Sequence, residues 1–193
     1  MSDYYTHIGI FGGTFDPPHI SHTMACLYAL ETTDIERVMV IPCFQHPLGK
    51  EATSFEHRMI MTEMAMEALG DSVSVSGMES EREGKSYTVD TLRILRKRHP
   101  ETKLSLIVGS DILGETREWK DFPEIEKLSD IIVLPRPGNE SESKKMGKGP
   151  RFFLPEISST EIRSLLREKM DVSAFLSRNV LNYIQLHKLY ESD

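Results

Sequence analysis

The chain has 193 residues, 39% apolar and 27% charged, and a formal net charge of −7 at pH 7. This suits one domain over residues 1–193 with a core it can bury unaided, and the acidic balance argues against a broad nucleic-acid surface. No run approaches the roughly 18 apolar residues of a membrane span, no signal peptide stands out, and two cysteines are too few for a disulfide framework, so a cytoplasmic protein without membrane contact is expected.

The first predicted strand, His7–Phe11, leads into Gly12, Gly13 and Thr14, then Asp16-Pro17-Pro18, then a helix over His19–Glu31. The two glycines are expected to form a turn, because they accept positive φ and let a ligand approach the backbone. Prolines at a helix entrance cost little, since the first helical N–H groups lack partners anyway. His19 and His22 then share a face of the first turn, where unpaired N–H groups and the helix dipole favour an anion. The arrangement reads as a site for a phosphate chain. A protein-held zinc ion is not expected, because no third ligand stands at a recognisable spacing.

Four further strands are predicted over Val38–Pro42, Val73–Val75, Leu104–Val108 and Ile131–Leu134, with a short sixth over Phe152–Leu154. Helices are predicted over Phe55–Leu69, Val89–Arg98, Thr160–Lys169 and Val172–Leu186. Met59, Met61, Met64 and Met66 read as core filling. Residues 138–150 are polar and rich in glycine and serine, a surface loop by composition. Buried β-branched strands alternating with helices imply an α/β, doubly wound parallel sheet, whose ligands bind at the carboxyl ends of the strands.

Residues 157–163 repeat the helix-entrance logic. Ser158 and Glu161 have capping-box spacing, and Ser159, Thr160 and Arg163 add hydroxyls and a guanidinium fork suited to phosphate. Thr88 reads as a helix N-cap or as a backbone donor to a ligand, and Asp111 as a cap or a partner for ribose hydroxyls or a phosphate-bound metal. Trp119 reads as a core or interface ring, or, since its polar neighbours argue against deep burial, as one free to stack on a flat ligand.

Residues 8–22 resemble the His-x-Gly-His signature of the nucleotidyltransferase superfamily, with Ser21 in the glycine's place. Ile157-Ser158-Ser159-Thr160-Glu161-Ile162-Arg163 resembles its second signature. Ser86-Tyr87-Thr88…Thr91-Leu92, Ile107-Val108-Gly109-Ser110-Asp111 with Trp119, Leu134–Gly138, and Tyr183-Ile184…Leu189-Tyr190 resemble segments of nicotinate mononucleotide adenylyltransferases. The resemblance implies a Rossmann-like nucleotidyltransferase fold and transfer of AMP from ATP to nicotinate mononucleotide, in NAD biosynthesis. It implies His19, His22 and Arg163 as the catalytic set. ATP would lie on Gly12, Gly13, Thr14, Ser158, Ser159, Thr160, Gly109 and Asp111, with Mg²⁺ carried by its phosphates. The mononucleotide would meet Tyr87, Thr88, Trp119 and Lys50. After the second strand the family shows Pro-Pro-His-Lys where this chain has Cys43-Phe44-Gln45-His46-Pro47-Leu48-Gly49-Lys50, so His46 and Lys50 compete for the lysine's place.

The competing expectations are a transferase acting on nicotinamide mononucleotide or another small phosphate, and a non-catalytic nucleotide sensor. Self-association into a homo-oligomer is left open.

Overall fold

In a computed structural model that describes residues 5–49, 51–110, 119–134 and 154–191, five strands form one parallel sheet. They are β1 (His7–Gly13), β2 (Arg37–Pro42), β3 (Val73–Val75), β4 (Lys103–Gly109) and β5 (Asp130–Leu134), in the order β3-β2-β1-β4-β5. Helices α1 (Ile20–Thr32), α2 (Phe55–Met66), α3 (Thr88–Arg98) and α4 (Phe122–Leu128) lie between strands; α5 (Ser159–Arg167) and α6 (Arg178–Leu186) follow.

Alternation along the strands explains the two covered faces. In β1, Phe11 joins a core cluster with Ala25, Cys26 and Ala29 of α1, while Ile8 and Ile10 join the opposite one with Val89, Leu92 and Leu95 of α3. Strand β2 follows suit: Val38 and Val40 face α1, and Ile41 faces α3. A strand apolar on both faces belongs in a sheet covered on both sides, which is the doubly wound architecture expected. A third cluster joins Met61 and Ala65 of α2 to Ile162 of α5 and Val180 and Ile184 of α6. Strand β1 pairs with β2 on one side and β4 on the other, so the winding reverses at β1, and the crevice at its carboxyl end is where such sheets take ligands.

Several boundaries differ from expectation. The glycines at 12 and 13 are not a turn: both pair within β1, opposite Ile41 and Pro42, and the left-handed residue is Phe15 (φ 53°). Helix α2 stops at Met66 and tightens into 3-10 turns over Glu67–Ser72, which Gly70 (φ 57°) interrupts. Val172 and Leu176 share the apolar stripe of α6 but precede it; the Ser177 side chain accepts from the Val180 N–H and starts the helix at Arg178. Helix α4 was unforeseen, although Asp121 followed by Pro123 marks a helix start. Phe152 and Phe153 of the expected sixth strand, and residues 138–150, lie outside the described residues; Leu154 is buried but not in a strand. Met61 and Met66 fill the core as expected, whereas Met59 and Met64 are only partly buried. Among the described residues no helix is long and apolar enough to cross a membrane.

Cys26 is fully buried in α1, and burial pushes its thiol from 9.0 up to about 12. The folded state therefore favours the neutral thiol. That contribution is intact below pH 9 and is lost as pH rises toward 12. The interval corresponds to roughly 4 kcal/mol, at about 1.4 kcal/mol per pH unit. Urea denaturation between pH 8 and 11 is expected to show wild type losing stability relative to Cys26→Ala as pH rises. A constant difference between the two would contradict the burial argument.

Candidate active site

The crevice at the end of β1 is built by three neighbouring segments. Gly12 and Gly13 carry β1 to its carboxyl end, where an added Cβ at Gly12 meets nothing within 4 Å. At Gly13 it would fall 2.9 Å from Phe15 Cζ. Phe15 is only 1% exposed; its ring packs edge-on against Phe11 (centroids 5.6 Å apart) and His22 (4.9 Å). His19 caps α1 and is buried, and its ring stacks on His22 at 3.8 Å.

The His22 ring has a defined orientation. Its Nδ1 accepts the His19 backbone N–H at 3.1 Å, and a ring nitrogen that accepts carries no proton. On the neutral ring the proton therefore sits on Nε2, a donor at the wall of the cleft. Phe15 on one side and His19 on the other hold the ring in place.

Helix α5 brings the second set. Ser158 caps it through the expected capping box with Glu161. Ser159 Oγ donates to the Pro17 carbonyl (2.9 Å), and Arg163 Nη1 donates to the Asp16 carbonyl (2.6 Å). Arg163 Nη2 also donates to Thr160 Oγ1 at 3.2 Å. A guanidinium has five N–H donors, so these anchors leave others for a ligand. Thr14, Phe15, Asp16, His22, Glu51, Ser159, Thr160 and Arg163 line a cavity of about 430 Å³. Residues from both ends of the chain thus meet in one place.

Two buried charged residues, Arg58 behind this wall and Asp16 within it, were not anticipated. Arg58, 3% exposed, donates from Nη1 to the Thr14 carbonyl (2.8 Å) and from Nε to the Thr53 carbonyl (2.9 Å). Burial holds its guanidinium below the ordinary arginine range, an effect that the negative charge of Asp16 opposes. Asp16, also 3% exposed, accepts the Tyr190 hydroxyl at Oδ1 (2.7 Å) and the Thr53 N–H at Oδ2 (3.2 Å). Position was the available signal for Arg58, which shares the buried stripe of α2 with Met61, Thr62 and Ala65.

The remaining expected residues lie on other segments. Tyr87, not Thr88, is the N-cap of α3, and it offers no side-chain cap; Thr88 is the first helical residue. The chain is already extended at Tyr87 (φ −111°, ψ 135°), and the Asp90 and Thr91 N–H groups bond its carbonyl, which moves the boundary one residue back. Lys120 Nζ sits 4.5 Å over the Tyr87 ring and bonds Asp90 at 2.9 Å. Trp119 is partly buried against the α3-side core, edge-on to Phe122 at 6.3 Å, as its polar neighbours suggested. Ser86 and Gln45 exchange hydrogen bonds, so the segments after β2 and before α3 lie side by side. None of Tyr87, Thr88 and Trp119 lines the cavity above. Gly109 ends β4, while Asp111 and Lys50 fall outside the described residues. His46 Nδ1 accepts the Leu48 N–H at 3.2 Å.

A parallel doubly wound sheet with hydroxyls, an imidazole donor and a guanidinium at its switch point is suited to a phosphate chain, and the chain's relatives give the class as a nucleotidyltransferase. Residues 10–165 match the family model described as cytidylyltransferase-like. A probable nicotinate-nucleotide adenylyltransferase of Myxococcus xanthus is 39% identical over 95% of this chain and 94% of its own, and one from Thermus thermophilus is 37% identical over 95% and 98%. The fold is shared with a Plasmodium falciparum nicotinic acid mononucleotide adenylyltransferase complexed with NaAD (TM-score 0.80, 24% identity, 96% of this chain and 98% of that one). The chain belongs to the cytidylyltransferase-like family and, within it, to the nicotinate-nucleotide adenylyltransferases.

The two glycines should respond differently to alanine. Gly13→Ala must displace a buried ring and is expected to cost about 1–3 kcal/mol, the usual range for overpacking. Gly12→Ala should unfold within about 0.5 kcal/mol of wild type, as surface positions do. Urea denaturation of the pair checks both values.

Proposed function

We propose that the chain transfers AMP from ATP to nicotinate mononucleotide, giving deamido-NAD and pyrophosphate. The convergence of two helix N-termini on one cleft carries this reading: α1 brings His22, and α5 brings Ser159, Thr160 and Arg163. In such a transfer a phosphate oxygen of the mononucleotide attacks the α-phosphorus of ATP, and the bond from that phosphorus to the bridging oxygen breaks. The attacking oxygen is already ionised at neutral pH, so no protein nucleophile or base is needed. What remains for the protein is alignment and stabilisation of charge on the leaving pyrophosphate.

The residues divide accordingly. His22 Nε2–H and Arg163 donate to the phosphates, His19 holds His22, and Ser159 and Thr160 add hydroxyl donors. Ser158 keeps α5 in register, and Gly12, Gly13 and Thr14 give ATP a close approach to the strand end. Gly109 would meet the nucleotide from the end of β4; on the family resemblance Asp111 would also bind the nucleotide and Lys50 the mononucleotide phosphate. Trp119 would stack on the pyridine ring, with Tyr87 and Thr88 at its carboxylate.

Nucleotidyltransferases generally work with a divalent ion, which we take to be Mg²⁺ arriving on the ATP phosphates. Among the described residues no three His, Cys, Asp or Glu side chains form a ready cage. Of the carboxylates lining the cleft, Asp16 is held by Tyr190 and Thr53, leaving Glu51. An ion carried on the phosphates would neutralise charge on the leaving group. The two free cysteines support a reducing cytoplasm as the setting.

The acid is the favoured substrate because α3 begins without a side-chain cap, so its first N–H groups point out of the helix. A carboxylate there gains charge-assisted bonds that a neutral amide matches only in part. At about 1.4 kcal/mol per tenfold, one or two such bonds imply a ten- to thousandfold preference. Pyrophosphate release from ATP, with nicotinate and nicotinamide mononucleotides side by side, tests this. Equal kcat/KM values would reject the acid assignment, and no release with either would reject the transfer.

Removing the imidazole donor should cost turnover rather than stability. His22→Ala is expected to lower kcat by about 10²–10³, the usual effect of losing one donor to developing charge. An unchanged kcat would take His22 out of the reaction.

A further inference from the structure

We propose, on the adenylyl-transfer reading of the cleft, that Tyr190 is a positioning residue which occupies the carboxylate of Asp16 and so leaves Arg163 available to the phosphates. Tyr190 stands four residues beyond α6 and has left-handed backbone (φ 64°), as does Lys188 (φ 50°). A bulky residue in that region costs energy and persists only where its surroundings hold it. Here its hydroxyl donates to Asp16 Oδ1 at 2.7 Å, across 174 positions of sequence.

Asp16 stands between Tyr190 and Arg163. Its carboxylate is buried and accepts a hydroxyl on one oxygen and a backbone N–H on the other. Its backbone carbonyl takes Arg163 Nη1 at 2.6 Å, while the same nitrogen lies 3.8 Å from Asp16 Oδ2. Arg163 therefore hydrogen-bonds Asp16 through a neutral carbonyl and makes only a long ion pair with its carboxylate, which one short movement would close. A buried carboxylate deprived of a donor seeks the nearest cation. Without the Tyr190 hydroxyl that cation is Arg163, and a closed Asp16–Arg163 ion pair would draw the guanidinium out of the cleft. Burial and the charge of Asp16 push the Tyr190 phenol well above its ordinary range, so it remains a donor throughout the neutral range.

The consequence is coupling between Tyr190 and Arg163, which a double-mutant cycle reads. Tyr190→Phe keeps the ring and removes only the hydroxyl. It is expected to lower kcat/KM for ATP by about 10- to 100-fold, the scale of a roughly 1 Å misplacement, with KM for the mononucleotide unchanged. In an Arg163→Ala background the same change should have little effect. Tyr183→Phe is the control: it removes a hydroxyl of α6 that bonds His57 Nδ1 at 2.8 Å, away from Asp16, and should leave kcat at the wild-type value. Should Tyr190→Phe be too unstable to assay, all arms of the cycle are run in a stabilising osmolyte such as sucrose. Binding of inorganic tripolyphosphate, followed by calorimetry, reads the same coupling without turnover. A tenfold weakening by Tyr190→Phe that vanishes with Arg163→Ala supports the inference, even if wild type releases no pyrophosphate and the transfer reading fails. Wild-type kinetics and tripolyphosphate affinity for Tyr190→Phe would overturn it. So would an equal loss in both Arg163 backgrounds, which would mark Tyr190 as merely structural.

Discussion

Three backbone carbonyls between β1 and α1 need partners, and the site depends on how they find them. The Thr14 carbonyl takes Arg58 of α2, while those of Asp16 and Pro17 take Arg163 and Ser159 of α5. A buried carbonyl cannot be left unpaired, and this loop lies outside any helix or sheet ladder that would satisfy it. Side chains from distant sequence do so instead. The segment that lines the candidate cleft on one side is thus bolted to two helices on the other. One set of hydrogen bonds both closes the fold and places Arg163 and the hydroxyls of α5 beside His22.

The same arrangement explains how a chain of net charge −7 can hold a polyanion. The favourable potential is local: two helix N-termini, an imidazole donor and the guanidinium of Arg163, with the buried charge of Arg58 behind them. Oriented donors in a partly buried cleft act at contact, whereas the acidic groups on the outer surface are screened over about 8–10 Å of salt water. Asp16 lies among these cations, and its two carboxylate oxygens are matched to neutral donors. It steadies the loop and keeps only a long ion pair, at 3.8 Å, with Arg163.

Much of this was legible beforehand, for identifiable reasons. Strand alternation with helices, the β1–α1 entrance and the Ser158–Glu161 capping box are short-range patterns, and each reappears in the structure. The missed features depend on long-range contact. Asp16 stands within the residue 8–22 motif, yet its role depends on Tyr190, 174 positions away. Arg58 breaks an apolar stripe, a visible irregularity whose purpose appears only once α2 is laid beside Thr14. The apolar spacing of Val172 and Leu176 continued the stripe of α6 into a segment that Ser177 separates from the helix. Periodicity records which face is buried, and a cap decides where the helix begins.

The reversal at residues 12–15 is the most instructive of these differences. A glycine pair before a helix suggests that glycine supplies the left-handed turn. Instead both glycines stay in the strand and a phenylalanine takes φ 53°, at a cost of order 1–3 kcal/mol for a bulky side chain. Glycine at that position would relieve the backbone but remove the ring that packs edge-on against His22 and Phe11. The space for that ring exists because residue 13 has no Cβ; a methyl group there would overlap it. The glycine and the phenylalanine thus exchange their usual roles. Gly13 provides room, Phe15 makes the turn, and together they orient the imidazole on which the chemistry of the cleft is proposed to rest.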